Sequence, residues 1–223
     1  MPRTHFSITS APPAKINHNI VHDVVILMTD AEQTALKQII ADAPDGAIFV
    51  EYGCGGSTCL FGLHMRPTQQ LHSIEHNKDW FSRIRHVLSD MTLAGNIALH
   101  CKPPAAGKTF AYKIGEEVHR IKEEEFRIYG HPTEELAHGL EDYIHAHGTN
   151  IDWSKVRCVL VDGVARGAVL ATLRLKLPPG ALVLLHDAID RILWYRWAVQ
   201  DVYLLHSLVD SMLVLEVPPN NVP

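Results

Sequence analysis

The amino-acid sequence predicts an α/β fold: a doubly wound, mostly parallel sheet of seven strands with an antiparallel hairpin at its C-terminal end. Five short apolar runs alternate with helical patterns, which is the order of elements in a doubly wound sheet. Two more apolar runs, 202–207 and 212–217, are joined by too few residues for a parallel crossover and predict an antiparallel pair. The first run ends in a glycine-rich turn, and in such sheets this turn lies at the carboxyl edge, where ligands bind.

Each element has its own signal in the sequence. Thr29 and Glu32 form a capping box, which predicts that a first helix begins there and runs to about Ala43. Apolar runs bounded by glycine, proline or polar residues predict the strands of the alternation. These strands are expected at 47–52, 70–74, 96–101, 156–161 and 181–185. The helices that follow them are expected at 57–64, 78–89, 166–177 and 190–199.

Size and composition describe one globular domain. The chain has 223 residues, of which 47% are hydrophobic, enough for a sizeable core. A net charge of −5 and the lack of a basic run speak against a nucleic-acid partner, and no apolar stretch is long enough to span a membrane. The N-terminus lacks the apolar core of a signal peptide. The four cysteines form no C-x-x-C pair, which favours core thiols in a reducing, cytoplasmic location.

Two regions lie outside the regular alternation. Residues 1–28 contain several prolines and are predicted to be an N-terminal arm with one short strand at 24–28, so that the domain itself spans 29–223. The segment at about 102–152 is the least regular and is predicted to be an insertion between the third and fourth strands. An insertion there would sit above the carboxyl edge of the sheet, as a lid, a substrate-recognition element or an oligomer contact.

The turn after the first strand is the main candidate binding site. It comprises Glu51, Tyr52, Gly53, Cys54, Gly55, Gly56, Ser57 and Thr58. Glycines let a ligand lie against the backbone, and the N–H groups at the start of the next helix point to the same place, which suits a pyrophosphate or a small carboxylate. A dinucleotide fingerprint needs a third glycine where Thr58 stands, which counts against a nicotinamide or flavin cofactor. The alternative is a tight connection that binds nothing.

An acidic residue ends the second strand. Glu75 lies about twenty residues after the glycine turn, where a carboxylate can accept hydrogen bonds from the vicinal hydroxyls of a ribose. The alternative is a carboxylate at a helix start, which would interact favourably with the helix dipole. Glu75 is expected at the protein surface, and the spacing favours the ribose interpretation.

These motifs resemble those of class I S-adenosylmethionine (SAM) methyltransferases, and most closely a small branch described only as methyltransferase-like. The segment from Glu51 to Thr58 looks like the family's first motif, and Ser73-Ile74-Glu75-His76 looks like its second. Val161-Asp162-Gly163 and Leu185-His186-Asp187 resemble the ends of its fourth and fifth strands. The resemblance covers residues 30–217 and implies a Rossmann-like sheet with SAM as the cofactor.

The resemblance also implies a role for each cofactor-binding residue. The backbone of residues 53–55 would hold the methionine end of SAM, Glu51 would orient its ammonium group, and Glu75 would bind the ribose. The same motifs supply the other expected cofactor contacts, which are Tyr52, Cys54, Ser57, Thr58 and His76. Many relatives place an acidic and a small residue against the adenine after the third strand, whereas this chain has His100-Cys101-Lys102.

The candidate catalytic residues end the fourth and fifth strands. His186 is the predicted general base because its ordinary pKa lies near neutrality, and Asp162 would orient it or bind the acceptor. Alternatively, Asp162 and Asp187 could hold Mg²⁺ through their oxygens, or all three residues could serve only to fix the loops that follow. Arg166 and Arg191 would bind an anionic substrate or pair with these carboxylates.

The function expected from the sequence is SAM-dependent methyl transfer to a small-molecule acceptor. Two alternatives are a non-catalytic SAM- or nucleoside-binding module, such as a partner subunit, and a nicotinamide-dependent oxidoreductase, which Thr58 disfavours. Neither nucleic acid nor a membrane is an expected partner, while a homo-oligomer is compatible with the sequence.

Overall fold

The computed structural model describes residues 19–21, 24–105, 139–189 and 192–219. Within these ranges a seven-stranded sheet carries helices on both faces. Its strands are β3 (Ile48–Tyr52), β4 (Gln70–Glu75), β5 (Asn96–Cys101), β6 (Val156–Val161), β7 (Leu182–Leu185), β8 (Leu204–Val209) and β9 (Met212–Glu216). The helices are α1 (Asp30–Asp42), α2 (Gly56–His64), α3 (Lys78–Ser89), α4 (Glu141–Ile144), α5 (Arg166–Leu173) and α6 (Ile192–Val199), with a 3₁₀ turn at Trp153–Lys155. A separate antiparallel pair is formed by β1 (Asn19–Val21) and β2 (Val24–Ile26).

The strand order confirms the predicted fold class. The order across the sheet is β5-β4-β3-β6-β7-β9-β8. The first five of these strands run parallel, and β9 pairs antiparallel with both β7 and β8. From β3 the chain crosses to β4 on one side, and from β6 it crosses to β7 on the other. The gap between the carboxyl ends of β3 and β6 is therefore the switch point at which doubly wound sheets bind ligands.

Two apolar layers hold the helices on the sheet. The layer on one face joins α1 and α2 to β3, β6 and β7, and it includes Leu36 from α1 and Phe61 from α2. The layer on the other face joins α5 and α6 to the same strands and also takes in the segment 140–151. Every residue of β3 is buried, as expected for a parallel strand that is covered on both faces.

Most boundaries lie within two residues of those predicted, and two differences have a clear physical reason. Helix α5 ends at Leu173 rather than Leu177, because the next residues tighten into a turn ahead of Pro178, with Lys176 N–H donating to the carbonyl of Leu173. The final hairpin is closed by only two residues, Asp210 and Ser211, so β8 extends two residues further than predicted. Asp210 has φ +49°, a conformation that aspartate tolerates better than most residues.

Several predictions concern residues beyond this description. Most of the predicted insertion, residues 106–138, lies outside the described residues, as do residues 1–18 of the predicted arm. Arg191 lies outside them too. Within the described part of the chain, no helix is both long enough and apolar enough to cross a membrane. All four cysteines are described and free, and three of them are buried.

Candidate functional site

The switch point is closed around two glycines. Gly53 follows β3 with φ +96°, and a Cβ placed on it would lie 2.7 Å from the Cα of Gly163, which follows β6. A Cβ on Gly163 would in turn lie 2.1 Å from the hydroxyl of Tyr143. A side chain at either position would therefore collide with its neighbours. The two glycines let the loops after β3 and β6 approach each other at backbone distance, and they shape the crevice at the carboxyl edge.

Glu51 is buried beneath the glycine turn and holds the turn in place by hydrogen bonds. Its Oε1 accepts a hydrogen bond from Ser57 Oγ at 2.5 Å, and its Oε2 accepts one from Thr58 Oγ1 at 2.6 Å and another from Ser73 Oγ. Burial raises the pKa of Glu51 to about 7, against the opposing effect of the three hydroxyl donors. The side chain ties the end of β3 to the start of α2 and to β4. Both oxygens of Glu51 are thereby engaged, so this carboxylate supports the glycine turn.

Two other members of the first motif also face the protein interior. The hydroxyl of Tyr52 donates to the carbonyl of Ile144 at 3.1 Å, and its ring meets the ring of Tyr143 edge-on at 5.4 Å. The side chain of Cys54 is buried, and burial together with the nearby carboxylates of Glu75 and Glu51 raises the pKa of its thiol well above the ordinary value. These side chains pack beneath the crevice. The backbone of the turn therefore lines the crevice.

Glu75 is held over the glycine turn by backbone donors. Its Oε2 accepts a hydrogen bond from the N–H of Cys54 at 3.1 Å, and its Oε1 accepts one from the N–H of Asn77 at 2.7 Å. His76 Nδ1 lies 2.8 Å from the same Oε1 without hydrogen-bond alignment. The expectation of a surface position is wrong, because Glu75 is only 3% exposed. Each oxygen can still accept a further hydrogen bond, so the carboxylate can receive the two hydroxyls of a ribose.

His186 lies between two carboxylates. Its Nδ1 is 3.0 Å from Asp162 Oδ1 and its Nε2 is 3.3 Å from Glu32 Oε2. Burial alone would lower its pKa, but these hydrogen bonds and the charges of Asp162 and Asp187 raise the pKa to about 10. At neutral pH the ring is therefore a buried cation that donates through both nitrogens. An imidazolium has no lone pair with which to take a proton, so the geometry does not favour His186 as the general base.

Glu32 is a residue of this edge that the sequence did not indicate. It lies in the first turn of α1, and its Oε2 also accepts the N–H of Thr29 at 2.9 Å in the predicted capping box. Its Oε1 accepts the N–H and the hydroxyl of Ser211 at 3.0 and 2.7 Å. Burial would raise the pKa of Glu32, but His186, Thr29 and Ser211 together lower it to about 2. The capping box signalled the local role of this carboxylate, and nothing near it in the sequence signalled its long-range partners.

Arg166, in the first turn of α5, binds the loops that follow β6 and β7 at the carboxyl edge of the sheet. Its guanidinium is buried and donates to the carbonyls of Gly163, Asp162 and His186 and, at 3.0 Å, to Asp162 Oδ1. Four of its five N–H groups are thereby used. Arg166 is thus better placed to fix Asp162 than to bind a substrate anion.

Asp162, His186 and Asp187 are close enough to share a cation, with one ligand atom from each lying within 4.8 Å of the others. The protonated His186 would have to lose its proton before it could act as a ligand, which leaves two carboxylates for Mg²⁺. Of the two carboxylates, Asp187 is held less tightly. Its side chain is half exposed, and its oxygens lie 3.7 Å from His186 Nδ1 and 3.9 Å from Arg166 Nη2. This donor set is a weak fit for magnesium.

The sheet order, the terminal hairpin and the crevice between β3 and β6 define the fold of class I methyltransferases. The chain is similar to a methyltransferase-like protein from Silicibacter pomeroyi, with a TM-score of 0.64 and 20% identity over 90% of this chain and 91% of that one. It is also similar to a SAM-dependent O-methyltransferase from Thermotoga maritima (TM-score 0.54, 8% identity, 88% and 68% covered). A third similar structure is a candidate rRNA methylase from Clostridium thermocellum (TM-score 0.52, 9% identity, 87% and 100% covered).

At these identities the similarity shows the fold alone. No protein-family model matches the sequence, and no curated protein matches it either. The Rossmann-like fold that the motifs implied is confirmed by the strand order of the sheet and by these similar structures.

Proposed function

We propose that this protein is a SAM-dependent methyltransferase that acts on a small-molecule acceptor. The observation that carries the proposal is the pairing of the Gly53 turn with the anchored carboxylate of Glu75, at the switch point of a methyltransferase fold. A backbone-lined crevice with a carboxylate that retains free acceptor capacity suits a nucleoside with an amino-acid tail.

The residues present fit such a cofactor. The backbone of residues 53–55 would face its amino-acid end, and Glu75 would accept hydrogen bonds from its ribose hydroxyls. When bound, SAM supplies a methyl group that is activated by attachment to a sulfonium. Asp162 is paired with Arg166 and His186, but Glu75 adds negative charge at this place, which favours a cationic ligand.

The chain's own contribution to the reaction would come from the ends of β6 and β7. Arg166 and His186 both bind Asp162 Oδ1 and hold that carboxylate in one orientation. Among the described residues, the cations nearest Asp187 are His186 at 3.7 Å and Arg166 at 3.9 Å, both beyond normal hydrogen-bond distance, and half of its side chain is exposed. We therefore assign Asp187 as the group that receives the acceptor's proton, with Asp162 orienting the acceptor.

The choice of a small molecule rests on charge. The net charge of −5 and the lack of a basic run do not suit the phosphate backbone of RNA. The alternative of a SAM-binding module without catalysis is supported by the His100-Cys101-Lys102 segment, which departs from the pattern expected beside an adenine. Calorimetry should detect SAM or S-adenosylhomocysteine binding and no NAD binding. Binding of NAD alone would contradict the proposal, and binding without turnover of any acceptor would favour the module.

Glu75→Gln is expected to weaken S-adenosylhomocysteine binding by about 2–3 kcal/mol, or roughly 30- to 150-fold, because it removes charge-assisted hydrogen bonds to the ribose. Glutamine keeps the shape of the side chain, and its oxygen can still accept one of the two backbone N–H groups, from Cys54 or Asn77. The measurement is the dissociation constant by titration calorimetry. Asp79→Asn is the matched control, since it removes an exposed carboxylate from the first turn of α3, the helix that follows Glu75. Equal affinities of Glu75→Gln and wild type would show that Glu75 serves only the backbone.

A further inference from the structure

Tyr143 carries a buried hydroxyl without a partner. The residue is fully buried, and its hydroxyl has no hydrogen-bond partner among the described residues. Most buried polar side-chain atoms are hydrogen-bonded, and leaving one unsatisfied costs stability. A phenylalanine would fill the same apolar space without that cost, so the hydroxyl calls for an explanation.

The hydroxyl lies at the switch point. It contacts Gly163, and Gly163 in turn contacts Gly53. The ring lies edge-on to His76, with 5.7 Å between ring centroids, so Tyr143 reaches across the carboxyl end of β3 from the β4 side to the β6 side. It comes from α4, in a segment whose sequence gave little sign of a functional residue.

The surroundings of Tyr143 favour a hydroxyl that donates a hydrogen bond. Burial, together with the charge of Glu75 and the proximity of Tyr52, raises the pKa of Tyr143 well above its ordinary value, so the phenol keeps its proton. The carboxylate of Glu75 borders the crevice, and a ligand carboxylate would be repelled by it unless a donor met it. The N–H groups of Arg166 are largely committed to Asp162 and to backbone carbonyls.

We infer that the Tyr143 hydroxyl is a cofactor-recognition group that donates a hydrogen bond to the carboxylate at the amino-acid end of the cofactor. The assignment rests on the proposed function and adds to it the residue that recognises the carboxylate of the cofactor. Its place fits this end of the ligand, because Glu75 marks the ribose beyond β4 and Tyr143 meets Gly163 beyond β6. The hydroxyl is unsatisfied in the free protein and becomes satisfied when the ligand binds.

The test combines a protein variant with a ligand variant. Tyr143→Phe removes only the hydroxyl, and the decarboxylated analogue of S-adenosylhomocysteine lacks only the carboxylate. Wild type should bind S-adenosylhomocysteine about 10-fold more tightly than the analogue, and Tyr143→Phe should lose most of this preference, as for a hydrogen bond to a charged group. The melting temperature of unliganded Tyr143→Phe should equal or exceed that of wild type, because no hydrogen bond is lost.

Tyr203→Phe is the matched control. The hydroxyl of Tyr203 is buried as well, but it donates to the carbonyl of Leu170 at 2.6 Å. Its removal should lower the melting temperature and leave both affinities unchanged. This contrast separates a hydroxyl that serves the fold from one that serves a ligand.

Each other outcome overturns the assignment in a recognisable way. If Tyr143→Phe keeps the wild-type preference for S-adenosylhomocysteine, or binds it more tightly, the hydroxyl does not read the carboxylate. If wild type binds both ligands equally, the carboxylate has no donor in the crevice, while the proposed function still stands. If wild type binds neither ligand, the proposed function fails and this assignment fails with it.

Discussion

Replacing His186 with alanine is expected to lower the free energy of unfolding by about 3–5 kcal/mol, the range for breaking a buried ion pair. The imidazolium is only 3% exposed and binds Asp162 through one nitrogen and Glu32 through the other. Its removal leaves Glu32 as a buried carboxylate without its cation. A general base exposed to an acceptor would instead affect turnover and leave stability nearly unchanged.

A double-mutant cycle in urea separates these interpretations. The free energies of unfolding of His186→Ala, Glu32→Gln and the double variant should show a coupling of 1 kcal/mol or more, since neighbours in one network are not additive. His206→Ala is the control, because that histidine is half exposed on β8 and its carboxylate partner, Glu216, is 3.5 Å away. It should change stability by about 0.5 kcal/mol or less. Additive effects, or a loss below 1 kcal/mol for His186→Ala, would refute the buried pair.

The second large effect is a loss of stability at alkaline pH. The pKa of His186 rises from 6.5 to about 10 on folding, so its charged contacts stabilise the protein fully below pH 6.5. This stabilisation is lost as pH rises from 6.5 through 10, and the change should be on the order of 4 kcal/mol. Glu32 acts in the opposite range: its pKa falls from 4.5 to about 2, so its contribution is present above pH 4.5 and is lost toward pH 2.

Urea unfolding at intervals between pH 6.5 and 9.5 measures this alkaline loss. His186→Gln is the reference, because it keeps hydrogen-bonding capacity but cannot carry a charge. The difference in unfolding free energy between wild type and this variant should shrink steadily with rising pH. Parallel curves over the whole range would mean that His186 is neutral in the folded protein.

The fold was predictable because its signals are local. Apolar periodicity and capping residues placed α3 at Lys78–Ser89 and β6 at Val156–Val161 with the bounds that the structure has. The short link between the last two strands required an antiparallel pair, which fixed the topology at the C-terminal end. Glu75 and Gly53 were also predictable, since their spacing follows from one strand–helix–strand unit.

The contacts of the site were not predictable in the same way. His186 and Glu32 are 154 residues apart, and neither local sequence indicates that the two side chains are in contact. Hydrogen bonds from Ser57, Thr58 and Ser73 turn the carboxylate of Glu51 inward, although the motif suggested a ligand contact. Tyr143 lies in the least regular part of the sequence, so only the packed structure reveals its unsatisfied hydroxyl.

The contacts between α1 and the final hairpin have a consequence for how the protein folds. Glu32 binds Ser211, and Thr29 Oγ1 donates to Asp210 Oδ2 at 2.6 Å across 181 positions of sequence. Contacts this distant in sequence form only after a long loop has been closed, which is entropically costly. We expect the edge that holds His186 to be ordered late in folding and to open together with the hairpin. Slow-exchanging amides of β9 should then lose protection at the same rate as the amide of Ser211, so that the last strand and the edge that holds His186 open as one unit.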